Sequence, residues 1–213
     1  RGAVMIAIVD YGVGNLFSLH SSLAAIGAES IVTGDAVAIQ QADAVILPGV
    51  GAFEDAAAKL RETGLAAAVR GVAASGKPLL GICLGMQLLF EKSYEFGEHE
   101  GLGLLPGSVV PMAGVLPAEL KIPHIGWNAL HLTPAGKSSP LFANVYGGEY
   151  VYFVHSYYAT GCGDALLAVT DYGADLTAAV GQGNVLGCQF HPEKSGTAGL
   201  GILREFCAMG GRV

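Results

Sequence analysis

An α/β fold, an open and mostly parallel sheet flanked by helices, is predicted by three features of the sequence. Short β-rich apolar runs alternate with segments of helical period through the N-terminal part of the chain, the pattern of βαβ units. After Gly97 the helical period disappears until near the C-terminus, and short β-type runs separated by turns take over. These read as antiparallel hairpins laid onto or beside the parallel sheet. Third, 52% of the 213 residues are hydrophobic, only 14% are charged and 32 are glycine, so the chain buries a large core and turns often. One domain spanning residues 1–213 is expected.

Val4 to Val9 is a buried first strand, followed by the glycine-rich turn Asp10-Tyr11-Gly12-Val13-Gly14-Asn15. Leu16, Leu19, Leu23 and Ile26 fall at helical spacing, with Gly27 as the stop. The turn lacks the third glycine of a dinucleotide fingerprint, which argues against a nucleotide site. Ser30 to Thr33 is a weak second strand. Ala44 to Leu47 is a buried third, ending at Pro48-Gly49-Val50-Gly51. An alanine-rich helical pattern from Phe53 to Ala74 breaks near Gly64. A strand signal from Pro78 to Ile82 runs into Cys83, and a continuous apolar helix signal from Leu84 to Phe90 leaves it. The later β-type runs are Gly107 to Met112, Trp127 to Leu132, Tyr150 to His155, Leu166 to Thr170, Ala178 to Val180 and Val185 to Phe190. A last helix spans about Thr197 to Met209.

Net charge is −7, from 11 basic and 18 acidic residues, with no basic run. Nucleic acid is therefore an unfavoured partner. Cys83, Cys162, Cys188 and Cys207 show no zinc spacing, and no metal site is expected. No segment approaches the ~18 apolar residues of a membrane span. The apolar stretch Ala3 to Val9 is too short for a signal segment and is interrupted by Asp10. A reduced, cytoplasmic protein is expected.

Gly81-Ile82-Cys83-Leu84-Gly85 is a Gly-x-Cys-x-Gly element between strand and helix signals. It is the thiol counterpart of the strand-turn-helix nucleophile elbow. A sharp turn there forces a strained backbone, and a side chain on either glycine would clash. The cysteine would stand above the strand end at a helix N-terminus, where the dipole favours a thiolate. A buried structural cysteine is the commoner fate of the residue. The paired glycines and the change of period point instead to a nucleophile.

A thiol nucleophile needs a base. The strand signal Val185 to Phe190 ends in His191-Pro192-Glu193, because Pro192 cannot continue a ladder. In an extended segment His191 and Glu193 point to one side, and a carboxylate can fix the imidazole tautomer and stabilise its cation. An oxyanion hole needs two backbone donors: the amide of Leu84, and one from the Pro48–Gly51 turn, at Val50 or Gly51.

Together these motifs resemble the class I triad glutamine amidotransferases, whose sheet is flavodoxin-like. Asp10–Asn15, Leu47-Pro48-Gly49-Val50-Gly51-Ala52-Phe53, Gly126-Trp127-Asn128, Tyr152–Tyr157 and His191-Pro192-Glu193-Lys194-Ser195 resemble in particular the glutaminase subunits of imidazole glycerol phosphate synthases. Gly196 departs from the glutamine that pattern has there. The resemblance implies glutamine hydrolysis through a Cys83 thioester, with His191 as acid and base and Glu193 holding it. It implies substrate contacts at Gly49, Gly51, Gln87, Glu95, His155, Ser156 and Tyr157, with Glu95 facing the substrate ammonium. It implies no cofactor. It further implies a TIM-barrel cyclase partner, forming a heterodimer and receiving the ammonia, with Asn15, Trp127, Tyr152 and Lys194 near the passage or interface. Alternatives are another class I glutaminase (for pyridoxal phosphate, anthranilate or aminodeoxychorismate synthesis), a stand-alone γ-glutamyl thiol hydrolase, or a non-catalytic scaffold with Cys83 buried.

Overall fold

The structure, a computed structural model, describes residues 3–211. Strands β1 (Met5–Val9), β2 (Glu29–Thr33), β3 (Ala44–Leu47) and β4 (Leu79–Ile82) fall where the apolar runs predict them. Between them lie α1 (Leu16–Ala25), α2 (Ala36–Gln41), α3 (Phe53–Glu62) and α4 (Leu65–Ala74). Gly27 and Gly64 take φ of +77° and +75°, the left-handed conformation that ends a helix without steric cost. Helix α2 escapes the sequence reading because it is short and buries only Ile39. Its start is nonetheless signalled: Asp35 caps it by accepting from the Val37 amide at 2.9 Å.

Past the elbow, α5 (Leu84–Gln87) is a single turn, followed by β5 (Phe90–Ser93), β6 (His99–Glu100) and β7 (Leu105–Pro111). The continuous helix expected from Leu84 to Phe90 is therefore corrected. Every residue from Pro78 to Phe90 is buried, so the run has no polar face to reveal its period. Then come β8 (His124–Ala129), β9 (His131–Leu132), α6 (Pro134–Ser138), β10 (Tyr150–His155), β11 (Tyr157–Thr160), β12 (Leu166–Asp171), β13 (Asp175–Gln182), β14 (Val185–Cys188) and α7 (Gly196–Gly210).

The main sheet has eight strands in the order β2-β1-β3-β4-β14-β13-β12-β9. Its first five run parallel. The next three continue antiparallel, as hairpins extending the sheet rather than covering it. The other expected hairpins form two small sheets: β10 with β8, antiparallel, and β11-β7-β5-β6, in which β5 and β7 are parallel.

Alternation along the parallel strands loads both faces. Ala7, Val9, Val45 and Leu47 pack with Phe53, Leu60, Val69 and Val72 of α3 and α4. Ile6, Ile8, Ala44 and Ile46 pack with Leu19 and Leu23 of α1 and with Ile202, Leu203 and Phe206 of α7. Each such large side chain contributes ~1.5–3 kcal/mol on burial. Among the described residues no helix is long and apolar enough to cross a membrane. The turns after β1, β3, β4 and β14 all lie at the carboxyl ends of parallel strands, where open α/β sheets place their ligands.

Candidate active site

Cys83 leaves β4 with φ 55° and ψ −115°, the strained geometry the elbow predicts for a non-glycine residue. Its amide is held by the Cys188 carbonyl at 2.8 Å. The glycines beside it are there for space. A Cβ on Gly81 would lie 2.6 Å from the Gly85 carbonyl oxygen, and one on Gly85 would lie 1.9 Å from that of Leu47. Gly85→Ala is accordingly expected to cost ~3 kcal/mol or more. Gly201→Ala, in open space within α7, should instead stabilise by ~0.5–1 kcal/mol. Thermal or urea unfolding of the two variants tests this, and a well-folded Gly85→Ala protein would refute the clash. Because α5 has only one turn, the dipole expected behind Cys83 comes from the free N–H groups of that turn alone.

Cys83 opens into a cavity of about 510 Å³. His191 and Leu84 line it too, as do Val50, Gly51, Gln87, Glu95, His155, Ser156 and Tyr157. Gly49 does not: its α-carbon is pressed against the Gly85 amide and the Tyr11 hydroxyl, where a Cβ would lie 2.8 Å from each. It shapes the wall from behind.

His191 Nδ1 lies 2.8 Å from Glu193 Oε1, with both side chains buried. The expected extended alternation does not produce this pair. The β14 ladder stops at Cys188, and Pro192–Lys194 forms a 3-10 turn. That turn folds Glu193 back under the ring, because the fixed φ of Pro192 suits a first helical position. Burial pulls the His191 pKa down, but Cys83 and Glu193 outweigh it and raise it to about 9. Nε2 is buried without a hydrogen bond of its own, as is Glu193 Oε2. The ring is therefore anchored at one nitrogen, with the other near the Cys83 sulfur and unbonded.

Glu95 accepts from the Phe53 amide at 2.9 Å, and burial raises its pKa. Gln87 Nε2 donates to the Tyr157 carbonyl at 3.2 Å and to Gln189 Oε1 at 3.0 Å. Trp127 and Tyr152 face each other across β8 and β10, ring centroids 6.0 Å apart, with Trp127 half exposed. Lys194 is exposed. Asn15 begins α1 without capping it, so the ordinary structural role for that side chain is not in use. None of these four lines the cavity.

Three supporting residues were not evident from the sequence. Tyr11 donates to the Pro48 carbonyl at 2.6 Å, tying the turn after β1 to the turn after β3. Gln189, fully buried, points Nε2 at the Cys83 sulfur, 3.8 Å away. Ser195 donates to the His191 carbonyl at 2.6 Å and accepts from the Tyr152 amide at 3.0 Å. Only Gln189 carried a signal, as a polar residue inside an apolar strand run.

A thiol on a strained elbow, an imidazole held by a carboxylate and a cavity beside them define a thiol-dependent acyl-transfer class. Residues 7–209 match the family model described as glutamine amidotransferase class-I, and the chain belongs to that family. It is 50% identical over 206 residues to imidazole glycerol phosphate synthase subunit HisH of Caldanaerobacter subterraneus subsp. tengcongensis, covering 96% of this chain and 98% of that one. The protein of the same name from Geobacillus kaustophilus is 50% identical over 205 residues, 95% of each chain. Among solved structures, PurLQS from Thermotoga maritima superposes with a TM-score of 0.76 at 20% identity, covering 97% of this chain and 99% of that one; this likeness is one of fold.

Proposed function

We propose that the chain is the glutaminase subunit of an imidazole glycerol phosphate synthase in histidine biosynthesis. It hydrolyses L-glutamine and passes ammonia to a cyclase subunit. The observation that carries this reading is that Cys83 and His191 line one cavity, with Glu193 holding the His191 ring from behind, in a chain half identical to the two HisH proteins over nearly its whole length.

The chemistry follows from the roles. His191 Nε2, basic enough with a pKa of about 9 to hold the proton near neutrality, has taken the proton of Cys83, and Sγ attacks the side-chain amide carbon of glutamine. The oxyanion is held by the Leu84 amide and by a donor from Val50 or Gly51. The C–N bond then breaks, His191 gives its proton to the departing ammonia, and a thioester remains. Water attacks the thioester with His191 as base, the S–C bond breaks, and glutamate leaves. Losing one oxyanion donor typically costs ~10²–10³ in turnover. Glu95 takes the substrate ammonium. Gly51, Gln87, His155, Ser156 and Tyr157 form the rest of the cavity wall.

Free ammonia would be protonated in water, so a partner must cover the site. Asn15, Trp127, Tyr152 and Lys194 are assigned to that face. The reading includes a single domain, which is supported by two core layers packed on the faces of one main sheet. The cysteines are free among the described residues, which suits a cytoplasmic location.

The test is the glutaminase rate of the chain alone, with the cyclase, and with the cyclase plus its nucleotide-type ribulose phosphate ligand. Strong stimulation supports the reading; full turnover without any partner rejects it. Lys194→Ala should reduce stimulation several-fold, in the range of ~1 kcal/mol for an exposed interfacial charge, while the unstimulated rate stays put. Unchanged stimulation would remove Lys194 from the interface.

A further inference from the structure

We propose that His124 and His155 form a proton-binding pair that supplies positive charge to the α-carboxylate of the amino-acid substrate. The proposal rests on the glutaminase reading above and concerns how that substrate is held.

An amino acid brings one ammonium and one carboxylate. The cavity wall offers the ammonium Glu95 but, among the described residues, contains no lysine or arginine. His191 is committed to Glu193 and Cys83. Of the groups in the wall that can carry positive charge, His155 remains.

Its hydrogen bonds show where a proton would go. His155 Nδ1 lies 2.8 Å from the Tyr157 carbonyl, so Nδ1 carries a hydrogen. Asn128 Nδ2 donates to the Asp171 carbonyl at 2.9 Å, which turns Asn128 Oδ1 toward His124. His124 Nε2, 2.7 Å from that oxygen, must therefore also carry a hydrogen. The two nitrogens left over, His124 Nδ1 and His155 Nε2, face each other at 3.1 Å. With both rings neutral, two lone pairs meet and no hydrogen lies between them. One added proton turns that contact into a charge-assisted hydrogen bond.

The surroundings suit a shared cation. His124 stacks with Phe153 and with Tyr172, at centroid distances of 5.1 and 4.0 Å and interplanar angles of 22° and 20°. Both aromatic faces favour positive charge there. The register of β8 and β10 sets His155 opposite His124, one residue from Ser156 at the cavity wall.

Within the protein alone, burial opposes the charge. Burial foremost, against the opposing Tyr157 carbonyl and helped by His124 and His191, brings the His155 pKa down to about 4. Burial lowers that of His124 as well, against its bond to Asn128. The titratable groups around the pair are His191, Tyr157, Tyr172 and Asp171. The Asp171 carboxylate is engaged by the Gly173 amide at 2.9 Å. Among the described residues no carboxylate contacts either ring. A substrate carboxylate in the cavity would supply the missing counter-charge and draw the proton in. The pair's pKa is then higher in the bound state than in the free state. Affinity gained this way is present below the bound-state value and lost as pH rises through it. Glu95 works in the opposite sense, since its protonation at low pH weakens the grip on the ammonium.

The full chain carrying Cys83→Ala, which cannot turn substrate over, is titrated with L-glutamine between pH 6 and 8. Calorimetry in two buffers of different ionisation enthalpy counts the protons taken up. At the pH 6 end, where both amines are ammonium, uptake is expected with L-glutamine and not with its α-amide, which lacks the carboxylate. Adding His124→Gln, whose amide can donate to His155 Nε2 without charge, should remove the uptake and weaken binding about tenfold. Histidine ¹⁵N spectra of the Cys83→Ala chain count the protons directly, whatever the fate of the double variant. Glutamine binding with no uptake, or with both rings neutral in the spectra, overturns the proposal alone. Undiminished uptake after His124→Gln does the same. No glutamine binding at all overturns the glutaminase reading beneath it.

Discussion

Replacing Cys83 with alanine is expected to abolish glutamine-dependent synthesis by the assembled synthase while synthesis from added ammonium salts survives. Removing a nucleophile that acts in concert with its base costs on the order of 10⁴-fold or more in turnover. The chemistry lost is confined to the release of ammonia, and the cyclase step has no use for the thiol. The structure makes the substitution a clean one. Cys83 keeps its place through backbone contacts, its amide bonded to the Cys188 carbonyl and its carbonyl to the Gln87 amide. Apart from its interaction with His191, the sulfur makes long contacts of 3.8 Å, to the Val154 carbonyl and to Gln189 Nε2. Loss of Sγ should therefore leave the elbow and the partner-facing surface unchanged. Parallel assays with glutamine and with ammonia give the answer. If both activities fell together, Cys83 would be a structural residue and the assigned chemistry would be wrong.

The parts of this site that could be read from the sequence are those set by local backbone rules. Gly81 and Gly85 announce the elbow because no side chain fits at either position. Pro192 announces the strand end because it cannot donate to a ladder. The parallel core was legible for a related reason: β1, β3 and β4 are short apolar runs bounded by glycine turns and separated by helices. Legibility failed where burial is uniform. From Pro78 to Phe90 every side chain is inside, so hydrophobicity could not tell the single turn of α5 from the strand β5 that follows. It failed again where function depends on pairing across the chain. Gln189 reaches Cys83, and His124 reaches His155, only through strand registers that no local pattern encodes. The triad is intermediate. His191 and Glu193 were recognisable as partners, but a 3-10 turn rather than an extended segment brings them together.

Glu193→Gln is expected to lower kcat by ~10²–10⁴ while changing the glutamine KM little. Glu193 touches neither the cavity nor the substrate positions; it acts through the ring of His191. The carboxylate does two things there. It accepts the Nδ1 hydrogen, leaving Nε2 as the basic nitrogen aimed at the thiol. It also helps hold the imidazolium against the burial that opposes it. An amide of the same shape can still accept through oxygen, but it carries no charge. Its NH₂ group would occupy the place of Oε2, which has no partner, or would turn toward Nδ1 and impose the wrong tautomer. The pH dependence separates these effects from a packing defect. In the parent protein the His191 pKa is raised to about 9. A raised value in a cationic group means stability that is fully present below the unfolded-state value near 6.5 and lost as pH rises through about 9. Without the Glu193 charge the folded-state value should fall. The imidazolium should then be lost at lower pH, and the extra stability should fade earlier on the alkaline side. Measuring kcat, KM and the unfolding midpoint from pH 6 to 10 covers all three. An orienting role requires a large kcat loss together with an acid shift of the His191 titration. A change confined to KM, or an unshifted titration, would mean that Glu193 merely fills space behind the ring.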